Sequence, residues 1–230
     1  MALYAIADLH LSKGTDKPMD IFKGWQDYSE RLEKNWRALI TDNDTVVVAG
    51  DISWAMKLEE CYADFSFLNS LPGQKILLKG NHDYWWATKK KIDDYLEVNN
   101  FDTIKILFNN SFEVDGFTIC GSRGWYYDAE SQADIKVINR EVGRLKLSLD
   151  SAKDSVNTPI VFLHYPPVYG DLECKEIMDT LLSYNIKECY YGHLHGAHTH
   201  KNAVTGMYKG INMHLIATDY IDFMPVLVRN

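Results

Sequence analysis

The chain has no cysteine pair at the spacing of a redox motif or a zinc site. Its four cysteines, Cys61, Cys120, Cys174 and Cys189, stand far apart. This excludes a Cys-x-x-Cys centre or a zinc ribbon, and it leads us to expect reduced, buried thiols of a cytoplasmic protein. The opening Met1-Ala2-Leu3-Tyr4-Ala5-Ile6-Ala7 lacks the basic start, long apolar stretch and cleavage site of a secretory signal. No apolar run is long enough to span a bilayer. An excess of positive charge is missing too: 24 basic residues face 32 acidic ones, for a net charge of -8. Such a balance opposes non-specific binding to a polyanion, because nucleic-acid affinity rests mainly on basic groups. With no internal repeat, low-complexity tract or linker, residues 1–230 are expected to form a single domain.

Short apolar runs are present throughout. Leu3–Ala7, Thr45–Ala49, Lys75–Leu78, Ile160–Leu163 and Cys189–Tyr191 read as buried strands, and the consecutive Val46, Val47 and Val48 suit a strand covered on both faces. Between the early runs, Trp25–Ile40 and Lys57–Leu71 carry helical periodicity. Further on, Ile104–Phe108, Ser111–Val114 and Phe117–Cys120 read as short strands, the last two joined by the hairpin signal Asp115-Gly116. Ser131 and Asp134 resemble a capping box, followed by a helical stripe of Ile135, Ile138, Val142, Leu145 and Leu149. Met213–Ala217 and Pro225–Val228 return to strand-like patterning. Strands alternating with helices predict an α/β fold with a sheet between helices.

The polar residues fall at one place relative to these runs. Leu3–Ala7 ends at Asp8-Leu9-His10, Thr45–Ala49 at Gly50-Asp51, and Lys75–Leu78 runs through Lys79 to Gly80-Asn81-His82-Asp83. Ile160–Leu163 ends at His164, and Cys189–Tyr191 at Gly192-His193-Leu194-His195. The C-terminal edge of such strands is where ligands bind. An extended backbone would put Asp8 with His10, and His193 with His195, on one side of the chain. Asp8, His10, Asp51, Asn81, His164, His193 and His195 are too many donors for one tetrahedral zinc. Their mixture of carboxylate, imidazole and carboxamide suits manganese, iron or zinc better than calcium. A central carboxylate such as Asp51 can bridge two ions with its two oxygens, at the roughly 3.5–4 Å spacing used for in-line displacement at phosphorus.

In order and approximate spacing, from residue 8 to residue 195, this series resembles the calcineurin-like metallophosphoesterases. The resemblance implies a four-layer α/β/β/α sandwich with two mixed β-sheets and flanking helices. It implies two divalent or mixed-valence metal ions, one held by Asp8, His10, Asp51 and His195, the other by Asp51, Asn81, His164 and His193. It implies that His82 is not a ligand but the general acid, with Asp83 orienting its ring, and that a metal-bridging hydroxide attacks a phosphomonoester or phosphodiester. After Gly50-Asp51 the family commonly has a polar residue two or three positions on, whereas here Ile52-Ser53-Trp54 follows.

Outside these motifs, Arg123 in the loop Gly121-Ser122-Arg123-Gly124-Trp125-Tyr126-Tyr127-Asp128 is the candidate phosphate-gripping cation, against a salt-bridged arginine. Trp54, Tyr84, Trp85 and Trp86 either wall a pocket or pack. His198 and His200 are candidates to support the ligands, His214 reads as structural, and Lys89-Lys90-Lys91 as a solvated helix face. The expected partner is a small phosphate ester, with no membrane; the acidic balance counts against nucleic acid without excluding it. The alternatives are a nuclease and a non-catalytic metal-binding scaffold on the same fold; retention of His82 favours the enzyme.

Overall fold

The computed structural model describes residues 1–125 and 132–229. In chain order, β1 (Leu3–Ile6), α1 (Tyr28–Leu39), β2 (Thr45–Ala49), α2 (Tyr62–Ser70), β3 (Gln74–Leu78), α3 (Lys89–Val98) and β4 (Ile104–Ile106) alternate strand with helix. There follow β5 (Phe112–Val114), β6 (Phe117–Ser122), α4 (Gln132–Asp150), β7 (Thr158–Leu163) and the small ribbon β8 (Val168–Tyr169) with β9 (Leu172–Glu173). The chain continues through α5 (Lys175–Ser183), β10 (Glu188–Tyr191), α6 (Gly196–His200), β11 (Gly206–Tyr208), β12 (Ile211–Leu215) and β13 (Val226–Arg229).

Two mixed sheets result, one of five strands in the order β13-β1-β2-β3-β4 and one of six in the order β11-β12-β10-β7-β6-β5. Strands β1 to β4 run parallel, as do β6, β7, β10 and β12; the antiparallel members β13, β5 and β11 lie at the edges. Alternation along the strands sorts side chains into layers. Val46 and Val48 pack with Leu32 and Trp36 of α1, Phe65 of α2 and Ile92 of α3. Val47 and Ala49 point the other way and share a layer with Ile119, Ile160 and Phe162 of the second sheet. The outer face of that sheet packs Val161, Leu163 and Cys189 against Leu145 of α4 and Ile177 of α5. Helix, sheet, sheet, helix is therefore the layer order, and the expected four-layer sandwich is observed.

Local details differ from the sequence reading. The helix expected from Trp25 begins at Tyr28, because backbone turns Trp25→Phe22 and Tyr28→Trp25 precede it. Lys57–Leu71 divides into a 3-10 turn, Leu58–Cys61, and α2. Of the α4 stripe, Ile138, Leu145 and Leu149 are buried while Ile135 is exposed. Ser131 of the proposed capping box lies outside the described residues. All four thiols are buried and unpaired. Among the described residues, no helix is long and apolar enough to cross a membrane.

Candidate metal centre

Parallel pairing of β1, β2 and β3, and of β7 and β10, sends the loops after these strands to one edge. The loops then continue to bond to each other: Asp8 N–H donates to Gly50 O, His10 N–H to Asp51 O, and Gly192 N–H to His164 O, at 2.9, 2.9 and 3.1 Å. Glycine is required where they cross. A Cβ on Gly80 would stand 2.1 Å from both Asp51 N and Oδ1, and one on Gly192 2.5 Å from Asp8 Oδ2.

Among the described residues, two groups of donors converge, each with its atoms within 4.8 Å of one another: Asp8, His10, Asp51 and His195, and Asp51, His164 and His193. Asn81 joins the second group, its Oδ1 2.7 Å from His164 Nε2. All seven sequence-derived donors are thus brought together. The reason offered for their convergence was wrong, however. Asp8, His10, Asp51 and His193 have φ of 63°, 46°, 51° and 71°, so the backbone there is left-handed and not extended. Such conformations cost about 1–3 kcal/mol each and persist where the surroundings over-determine them. Here the cross-loop hydrogen bonds do so.

Asp51 is common to both groups. Its Oδ1 accepts from His82 N–H at 2.8 Å. Its Oδ2 is buried without a hydrogen-bond partner, 3.7 Å from His10 Nε2 and 3.5 Å from His164 Nε2. Oδ1 thus accepts from the backbone, and Oδ2 faces both imidazoles. Asp8 repeats the pattern, with Oδ2 accepting from His193 N–H at 2.8 Å and Oδ1 left unpartnered 3.4 Å from His195 Nε2.

Proton inventory indicates what fits between these atoms. His164 Nδ1 lies 3.1 Å from Ala49 O, an acceptor, so this nitrogen carries the proton. Burial pushes the His164 pKa down to about 3, which keeps the ring neutral and leaves Nε2 with a lone pair facing the Asn81 oxygen. Two lone pairs in contact call for a cation. Burial likewise lowers His193 to about 3 and lowers His10, the latter also through the neighbouring His195. Asp51 is raised by burial and by the nearby Asp8 and Asp83 carboxylates. Burial opposes protonation of His195 too, but Asp8 and Asp219 override it and raise its pKa to about 10. Orphaned carboxylate oxygens, the neutral imidazoles of His10, His164 and His193, and like-charged acids that repel one another fit bound metal cations.

His82 stands beside this cluster, its ring 5.6 Å from that of His10. Burial and the charge on His195 lower its pKa. Asp83 does not orient that ring, contrary to expectation. His82 Nδ1 is buried and unpartnered. The Asp83 carboxylate instead accepts from the backbone N–H of Gly80 (2.7 Å), Asp51 (3.0 Å), Ile52 (2.9 Å) and Ser53 (3.3 Å), and from Trp85 Nε1 (3.0 Å). It ties the loops after β2 and β3 together. Asp83 itself is raised to about 6, burial outweighing these bonds.

Arg123 is engaged by fully buried Glu141 at 3.3 Å and lies over the Trp125 ring, so the salt-bridge alternative holds in the structure. The loop residues Tyr126, Tyr127 and Asp128 lie outside the described residues. Trp85 is buried and Trp86 packs against the first core layer. Trp54 instead stacks on His10 at 5.0 Å, and Tyr84 is exposed, 6.0 Å from His82. His200 contacts Leu194 O at 3.0 Å and Asp219 at 3.6 Å, while His198 is exposed. His214 pairs with Glu188 at 2.7 Å and stacks on Tyr190, a structural role. The lysines of α3 form i,i+4 pairs, Lys89 with Asp93 and Lys90 with Asp94.

One residue escaped the sequence reading. Asp219 accepts from His195 Nδ1 at 3.1 Å and from Gly196 N–H at 2.7 Å, fixing the tautomer that leaves His195 Nε2 toward the cluster.

Comparison with known proteins adds a family. Residues 1–197 match the family model described as calcineurin-like phosphoesterase. An uncharacterized protein of Methanocaldococcus jannaschii is 23% identical over 184 residues, covering 76% of this chain and 90% of that protein. Among solved structures, phosphopantetheinyl hydrolase of Mycobacterium tuberculosis is 18% identical with a TM-score of 0.60, covering 99% of this chain and 96% of that one. A protein of unknown function from Aquifex aeolicus is 20% identical with a TM-score of 0.53, covering 98% and 95%. At these identities the solved structures speak for the fold alone.

Proposed function

The chain belongs to the calcineurin-like phosphoesterase family, and from that premise and its converging donors we propose that it is a dinuclear metal-dependent hydrolase of a phosphomonoester or phosphodiester. The observation that carries this reading is Asp51 Oδ2, buried, unpartnered and within 3.7 Å of an imidazole from each donor group. One ion would be held by Asp8, His10, Asp51 and His195, the other by Asp51, Asn81, His164 and His193. Manganese, iron and zinc all suit this donor set.

Metal ions so held supply Lewis acidity, which makes water nucleophilic near neutral pH and neutralises charge on phosphate oxygens. The chain's own groups do the rest. His82 delivers a proton to the leaving oxygen. With Nδ1 enclosed, Nε2 is the nitrogen that gives it up. Asp83 holds the Asp51 and His82 loops in register through their backbone, a positioning role. Asp219 fixes the His195 ring. The Mycobacterium tuberculosis neighbour, itself named a hydrolase, is in keeping with this reading.

The test is hydrolysis of bis(p-nitrophenyl) phosphate and p-nitrophenyl phosphate by metal-free chain reconstituted with manganese, iron or zinc. We expect metal-dependent turnover that falls at least a hundredfold in His82→Ala, with metal content unchanged. Bound metal with no turnover of any ester would favour the scaffold; loss of the ions in His82→Ala would remove its role as the acid.

A further inference from the structure

We infer that the cavity beside the donor cluster is a leaving-group subsite for a phosphate ester whose alcohol carries a bulky apolar body. The inference rests on the phosphoesterase reading and names the class of substrate that site would take.

The cavity has a volume of about 410 Å³, inside the range of about 300–1,000 Å³ that encloses most of a drug-sized ligand. His10, His82, His195 and Asp219 form its base, and Met19, Phe22, Trp25 and Trp54 its walls. Lys23 also lines it, and the Lys17 ammonium lies 5.2 Å over the Trp54 ring. The two indoles are seated on the donor residues themselves. Trp54 stacks on His10 and lies 4.5 Å from His82, and Trp25 meets the His195 and His10 rings edge-on at 5.5 and 5.8 Å.

These apolar side chains stand apart from the layers around the sheets. Met19, Trp25, Tyr28 and Phe223 form a cluster of their own, with Trp54 packed against it, separate from the three layers around the sheets. Trp25 is fixed there by edge contacts with Phe223 at 5.3 Å and Tyr28 at 5.8 Å, and Phe22 is half exposed. A phosphate group needs the charged donors and gains nothing from indoles. Two indoles, a thioether and a phenyl ring offer dispersion contact and dehydration to something apolar.

His82 decides which part of the substrate that is. It lines the cavity, and its buried Nδ1 leaves Nε2 to deliver the proton. The oxygen that receives the proton belongs to the departing alcohol. The cavity's occupant is therefore the alcohol, not the phosphoryl group that stays with the metals.

Chain-length dependence tests this. The n-alkyl phosphates from ethyl to octyl have leaving alcohols of nearly equal acidity, so only apolar contact changes along the series. With the full chain reconstituted with manganese, iron or zinc, kcat/KM should rise about fourfold per methylene until the cavity is filled. Trp25→Ala and Trp54→Ala should each flatten that slope. The matching n-alkylphosphonates, which are not cleaved, should show the same slope in Kd by calorimetry. Turnover of bis(p-nitrophenyl) phosphate with no chain-length dependence in either series would overturn the subsite and leave the phosphoesterase reading standing. A steep phosphonate series with no ester turned over would remove the phosphoesterase reading and the leaving-group assignment with it, leaving only an apolar pocket beside the donors.

Discussion

His195 has Asp8 3.4 Å from one ring nitrogen and Asp219 3.1 Å from the other, so its protonation and its orientation are both set by neighbours. Asp219→Asn keeps the shape and removes the charge. It should weaken metal binding about 10–100-fold, read by chelator competition, with the unfolding midpoint almost unmoved. Unchanged affinity would reduce Asp219 to a loop cap for Gly196. Asp219 was legible by the rule that found the others, for it follows the apolar run Met213–Ala217; that run was read only as a strand. Asp83 shows the opposite error. Its place next to His82 suggested contact, but the turn carries its carboxylate inward to four backbone N–H groups. The left-handed backbone at Asp8, His10, Asp51 and His193 leaves only a weak signal in sequence, since none of these is glycine, although Asp and His enter that region more readily than most residues.

At the scale of elements, β3 carries a lysine where alternation calls for an apolar side chain. Lys75 is fully buried, and its ammonium donates to Leu71 O and Gly73 O at 2.6 and 2.7 Å, closing the turn between α2 and β3. Burial pushes its pKa down to about 8, against an unfolded value near 10.4. The charged form is therefore penalised in the fold. Below pH 8 that penalty is fully present; between about pH 8 and 10.4 the unfolded chain holds more protons, so stability rises with pH; above that the penalty is gone. The stability difference between wild type and Lys75→Met should accordingly move in favour of wild type across this window in urea titrations. A difference flat with pH would contradict the assignment. Strands were easier to read than helix boundaries, because strands such as Thr45–Ala49 are bounded by turn residues. By contrast, the Trp25–Ile40 periodicity continues smoothly through turns that are not helical.

For the whole molecule, the layer between the sheets is what holds the two halves of the donor set at one edge. Phe162 is fully buried there and stacks on Tyr190 at 5.2 Å. Phe162→Ala should cost about 3–5 kcal/mol in urea unfolding, and a loss below about 1 kcal/mol would mean the layer between the sheets does not depend on that side chain. The sandwich itself was expected through resemblance; composition and periodicity alone reached only an α/β fold, because pairing between distant strands leaves no local mark. The most direct measurement is the number of metal ions per chain, by elemental analysis of reconstituted wild type and Asp51→Ala. The account predicts two in wild type and loss or scrambling of both in the variant, with the fold retained by circular dichroism. Two ions still bound in Asp51→Ala would contradict the shared carboxylate on which the account rests.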